Sequence, residues 1–207
     1  MCRKDTPLDF QNSLVLSHML KSFSRLVLLF LFITLIGHKR LVAQYLNVDT
    51  LSYMEWSDDL YLSWKDYQFK QRNHRDGNGM ALTSVRHSVR GGIIDGEPKF
   101  EVKVLFVKED SWTTDSTDIA LLAHEKLHFD IAELYGRKIR KQIDDLFKRG
   151  ERDLKIYNKY VKQLLGDFKR YSQNYDAKTQ HGKDFDQQKK WFEDVFSELE
   201  RLKIYYR

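Results

Sequence analysis

A chain of 207 residues with 42% hydrophobic content and only two prolines carries enough apolar material for one core, and its even composition excludes a repeat or low-complexity protein. The formal charge of +5 sits mostly in the first 43 residues, which hold six Lys/Arg against two Asp/Glu, while the remainder is nearly balanced at 29 against 28. That balance gives no basis for a nucleic-acid partner or for membrane contact beyond the leader, and the basic runs near Arg137 and Lys148 are broken by Asp144, Asp145, Glu151 and Asp153, as on solvated helix faces.

The leader has its own pattern. Lys21 and Arg25 precede the uncharged, almost wholly apolar stretch Leu26 to Gly37, which is shorter than the ~20 residues a membrane span needs and matches the apolar region of a secretory signal. Cleavage is expected after Ala43, with translation from Met1 or Met19, and an uncleaved signal anchor is the alternative. Export to the periplasm or the medium follows, with membrane attachment only through this segment. Cys2, the single cysteine, lies upstream of the apolar stretch, so the exported part has no thiol and must hold any metal with histidine and carboxylate.

Along residues 44–207 the pattern predicts one α+β domain. Tyr45 to Tyr53 reads as a strand or arm, and Leu60, Leu62 and Trp64 alternate with Tyr61, Ser63 and Lys65 as in a half-buried strand. Gln71 to Gly79 reads as a loop, and Met80 to Arg90 as a strand with Thr83, Val85, His87 and Val89 on one face. The turn residues Gly91, Gly92, Asp95, Gly96 and Pro98 lead to the clearest strand, where Phe100, Val102, Val104 and Phe106 share a face. This small sheet is expected to be antiparallel.

Three helices follow. The first has its N-cap at Asp115 or Ser116, Asp118 in its first turn and its stop at Gly150, with Ile131, Tyr135, Ile139 and Leu146 on its inner face. The second shows an apolar seam from Leu154 to Tyr171, a polar break is expected over Ser172 to Lys183, and the last helix turns Phe185, Phe192, Val195, Leu199 and Leu202 inward.

The chemistry sits on the first helix. His124-Glu125-Lys126-Leu127-His128 spells H-E-x-x-H, which on a helix sets two imidazoles on one face with a carboxylate beside them. A hydrolytic zinc site needs that arrangement: the ion lowers the pKa of water to around 7, and the glutamate takes its proton and hands it to a leaving amine. Two histidines bracketing a glutamate on an inward face would otherwise demand three separate buried partners.

A catalytic zinc takes a third protein ligand. Spacing does not supply it from Ile131, Leu134 or Glu151, and Glu133 lies half a turn from His128. His181 is the best-placed remaining histidine, in the break with Gly182 beside it, the alternative being a solvent-exposed loop histidine. His87 reads as a core residue and His74 as a surface one.

The combination of His124-Glu125-x-x-His128 with Tyr175-Asp176-x-x-Thr179-x-His181-Gly182, then Gln187 or Gln188 and Trp191, resembles a bacterial exported family. That family is catalogued as domain of unknown function nine-two-two and described as secreted zinc-dependent proteases. Leu62-Ser63-Trp64-Lys65-Asp66-Tyr67 is similar to its opening strand, and the resemblance runs from Tyr53 to Phe196. It implies a zincin-like fold, a zinc ion held by His124, His128 and His181, and Glu125 as general base.

On that reading the chain is an exported zinc peptidase acting on peptide or protein. Tyr175 is the candidate oxyanion donor, Asp176 or Asp130 the residue that orients a ligand histidine, and the strand from Phe100 to Lys108 the edge that receives extended substrate. The competing reading is a non-catalytic exported helical adaptor with a structural metal or none.

Overall fold

A computed structural model of the chain describes residues 52–69 and 80–206. The leader with its cleavage site, Cys2, most of the Tyr45 to Tyr53 segment, and the loop containing His74 lie outside the described residues.

Among the described residues five strands precede three α-helices, an α+β order: β1 (Tyr53–Glu55), β2 (Ala81–Leu82), β3 (Val85–Ile94), β4 (Glu97–Val107), β5 (Trp112–Thr113), α1 (Ile119–Lys148), α2 (Leu154–Thr179) and α3 (Phe185–Arg201). The main sheet is antiparallel in the order β1-β4-β3, and β2 pairs antiparallel with β5.

The β3–β4 hairpin is longer than the glycines suggest. Its turn is only Asp95 and Gly96, both with positive φ, while Gly91, Gly92 and Pro98 are paired within the ladder. Gly91 stands opposite Phe100, whose ring fills the space a side chain would need, with Cδ1 only 2.1 Å from the Cβ position. The expected alternation in β4 is present, with Val102, Val104 and Phe106 all buried.

Leu60 to Trp64, expected as a strand, is not one. Ser63 instead donates its N–H and its hydroxyl to Asp66 Oδ2 at 3.0 and 2.9 Å, closing a short 3-10 turn over Trp64–Asp66. Leu62 is still buried, so the alternation records which side chains point inward and not a paired backbone.

Helix α1 lies across the sheet. Its N-cap is Asp118, whose carboxylate accepts from Leu121 N–H at 2.9 Å, while Asp115 closes a turn onto Thr117 just before it. The helix ends as expected before Gly150, and Ile131, Tyr135, Ile139 and Leu146 are buried. Gly136 is where it meets β4, since a Cβ there would lie 2.5 Å from Val104 Cγ2. One apolar cluster fills the space between sheet and helix with Trp56, Leu62, Val104, Phe106 and Phe129, and a second joins the three helices through Leu127, Ile131, Tyr175, Val195 and Leu199.

Two expectations in the C-terminal half change. Helix α2 continues through the predicted polar break to Thr179, and in α3 Phe185 and Phe192 face outward while Val195 and Leu199 are buried. No helix among the described residues is long and apolar enough to cross a membrane.

Candidate metal centre

The extra turns of α2 assemble the site. Ser172, Asp176 and Thr179 recur at spacings of four and three, so they share a face with Tyr175 at its edge, and that face meets His124 and His128 on α1. Polar residues that resemble a loop are here the polar stripe of a helix turned toward two buried imidazoles.

Both Nε2 atoms converge on one oxygen: Asp176 Oδ1 is 3.1 Å from His124 and 2.9 Å from His128. The three donor atoms lie within 4.8 Å of one another. Burial alone would raise the Asp176 carboxyl, but the two imidazoles set against it outweigh burial and hold the group well below the ordinary carboxylate range.

The outer nitrogens are taken. His124 Nδ1 lies 3.0 Å from Gln188 Oε1, which also accepts from the Tyr175 hydroxyl at 2.8 Å, and His128 Nδ1 lies 2.9 Å from the Ser172 hydroxyl. An amide oxygen only accepts, so the His124 proton resides on Nδ1. The Nε2 lone pair of a neutral His124 then faces a carboxylate oxygen at contact distance. Two electron-rich atoms are held so by a cation between them, either a proton or a metal ion.

Beside them Glu125 is buried, and its Oε2 has no hydrogen-bond partner among the described residues. A buried carboxylate oxygen without a donor is costly, and Glu125 is among the residues lining the cavity that holds the three donors. Two imidazoles with their outer nitrogens engaged, one carboxylate and an orphaned acceptor fit a divalent ion of the zinc class.

The cavity measures about 320 Å³. His124, Glu125, His128, Ser172, Asp176 and His181 form one side, and Met80, Ala81, Leu82, Thr83 and Trp112 the other. The two sides are tied at Thr83, whose hydroxyl donates to the Glu125 carbonyl at 3.1 Å and is met by the Tyr67 hydroxyl at 2.8 Å.

The expected residues fall in different places. His124, Glu125 and His128 are together. His181 sits at the rim, its side chain 70% exposed and its Nδ1 3.8 Å from Asp176 Oδ1, and it is outside the set of donors gathered within 4.8 Å. Asp176, expected only to orient a histidine, supplies the third donor, and the orienting contacts come from Gln188 and Ser172. Asp130 instead accepts from Trp56 Nε1 at 2.9 Å, and burial pushes its carboxyl up to about 6.

Tyr175 is not an oxyanion donor in this geometry. It lies on α2, fully buried, its one hydroxyl proton shared between Gln188 Oε1 at 2.8 Å and the His124 carbonyl at 3.1 Å, and burial pushes its ionisation far above the usual tyrosine value. Nor is β4 an open edge. It is the central strand, and its outward carbonyls at Val102 and Val104 accept from Arg140 and from Trp56 N–H.

No curated protein and no solved structure matches the chain. Residues 57–182, more than half of the chain, match the family described as "Bacterial protein of unknown function (DUF922)". The matched segment holds His124, Glu125, His128, Asp176 and His181 and ends at Gly182, within the connection from α2 to α3. The chain therefore belongs to this bacterial family of unknown function.

Proposed function

We propose that the chain is an exported zinc-dependent peptidase of the H-E-x-x-H type and zincin-like fold, in which His124, His128 and Asp176 hold the ion and Glu125 is the general base. The observation that carries the reading is the convergence of two Nε2 atoms on Asp176 Oδ1 beside the unpartnered Oε2 of Glu125. Zinc, when bound there, supplies Lewis acidity that makes water nucleophilic near neutral pH and polarises a carbonyl.

The chain's own residues do the rest. Glu125 takes the proton of the attacking water at Oε2 and passes it to the departing amine. Gln188 and Ser172 keep both imidazoles turned the same way, so no reorganisation is needed as charge moves.

A peptide substrate is supported by β2. Thr114 N–H donates to the Met80 carbonyl at 2.8 Å, so by the alternation of an antiparallel ladder the N–H and C=O of Ala81 point away from β5. No described strand pairs with that edge, and Ala81 lines the cavity. Extended polypeptide can add there, in place of the expected addition to the Phe100 to Lys108 strand. Export, with a periplasmic or extracellular location, rests on the leader's pattern.

The test is hydrolysis of unfolded protein by the chain with and without chelator, together with Glu125→Gln. Hydrolysis is expected to need the ion and to vanish in Glu125→Gln while zinc stays bound, and turnover that persists in that variant refutes the mechanism. One observation favours the adaptor reading: His181 at the rim is a potential fourth donor, and a structural zinc takes four protein ligands. X-ray absorption of the zinc-loaded chain decides between three protein donors with an exchangeable oxygen and four protein donors.

A further inference from the structure

The connection from α2 to α3 carries three successive residues with positive φ: Gln180 at 51°, His181 at 55° and Gly182 at 82°. Left-handed backbone is strained for a non-glycine residue, so such a turn persists only where its surroundings hold it. They do. His181 N–H donates to the Asp176 carbonyl and Asp184 N–H to the Thr179 carbonyl, both at 2.9 Å, and Gly182 N–H reaches the buried Thr179 hydroxyl at 3.3 Å.

The held turn is pressed against one side chain. A Cβ at Gly182 would lie 2.9 Å from His124 Cβ, 3.0 Å from Cγ and 3.3 Å from Nδ1. A few residues on, Gln188 Oε1 takes Nδ1 at 3.0 Å, and from the end of α2 the Tyr175 ring stacks on the His124 ring with centroids 4.5 Å apart. One imidazole is thus fixed by main chain, by a hydrogen bond and by a stacked ring.

We propose that the α2–α3 connection and the first turn of α3 form the positioning element for His124, with Gly182 required by its close packing on the imidazole and Gln188 deciding which ring nitrogen faces Asp176. Gly182 and Gln188 act through His124 and do not line the cavity. The consequence for metal rests on the proposed function; the clamp itself does not.

Gly150 is the matched control. Its φ of 80° is nearly that of Gly182, but nothing lies within 4 Å of where its Cβ would be. The experiment compares Gly182→Ala, Gly150→Ala, Gln188→Leu and Gln188→Glu in the full chain by two readouts. In metal-free protein, NMR follows the His124 Nδ1–H proton. It is expected to exchange slowly in wild type, Gly150→Ala and Gln188→Glu, to vanish in Gln188→Leu and to shift in Gly182→Ala.

In zinc titrations against a competing chelator, Gly182→Ala and Gln188→Leu are expected to bind about 10- to 100-fold more weakly, the range for lost supporting contacts. Gly150→Ala should bind as wild type, and Gln188→Glu should restore most of the affinity. Equal behaviour of Gly150→Ala and Gly182→Ala, or a wild-type chain without the Nδ1–H signal, overturns the proposal. A clamp seen by NMR in a wild-type chain that takes up no zinc supports the positioning and overturns the metal reading, which separates the two.

Discussion

Replacing Asp176 by Asn keeps the side-chain volume and removes the charge on which the two imidazoles converge, at 3.1 and 2.9 Å. Supporting contacts around a metal are worth roughly 10- to 100-fold in affinity, so losing a charged donor is expected to cost more than about 100-fold in zinc binding, or about 2.8 kcal/mol. His181→Ala is the counterpart. With its side chain 70% exposed and 3.8 Å from Asp176, His181 makes a contact of the solvent-screened kind worth at most about 1 kcal/mol, so its loss should weaken zinc by less than about tenfold. Chelator-competition titrations near neutral pH measure both, and thermal unfolding of the metal-free variants shows whether each is folded. Equal losses from the two substitutions would place His181 among the ligands, and wild-type affinity in Asp176→Asn would refute the assignment of the third donor.

Glu133→Ala removes the shared carboxylate of buried Arg137 and half-buried Arg140, whose Nε and Nη1 donate to Glu133 Oε1 at 3.0 and 2.9 Å; urea unfolding should show a loss of roughly 3–5 kcal/mol, and a change near zero would refute the network's structural role. His87 has its pKa lowered by burial, against the hydrogen bond from Nε2 to the Ala132 carbonyl, so below about 6.5 the unfolded chain takes up the proton first and stability falls as pH falls. His87→Gln should flatten that fall in acid titrations followed by circular dichroism, and an unchanged slope would exclude His87 as its source. Ala81→Pro removes the N–H on the open side of β2 and should raise KM for an unfolded protein substrate while leaving kcat largely unchanged; an unaltered KM would rule out strand addition there.

Much of this arrangement was legible from residue order where the determining interactions are local. The helix of His124 and His128, its end before Gly150, the inward face of Ile131, Tyr135 and Ile139, and the alternation of β4 all depend on side-chain period within one element. The apparent strand at Leu60 to Trp64 shows the limit: period two marks alternate burial, but pairing requires a partner edge, and Ser63 with Asp66 takes the backbone elsewhere. Gly91 and Gly92 resembled a turn because nothing local reveals that Phe100 covers the first of them. Sequence left Gln187 and Gln188 as alternatives within the resemblance, since the oxygen of Gln188 has meaning only through Tyr175 and His124, 13 and 64 residues away.

By itself the order of amino acids determined two imidazoles and a carboxylate on one helical turn, because four residues of α-helix bring side chains together whatever surrounds them. Only the tertiary structure decided what meets them. Polar side chains over Ser172 to Thr179 have the same composition whether they face water or a buried polar site, so composition could not reveal that α2 runs on to Thr179. That continuation turns Asp176 inward and leaves His181 in the left-handed turn at the rim, because each added residue of a helix rotates the next side chain by about 100°.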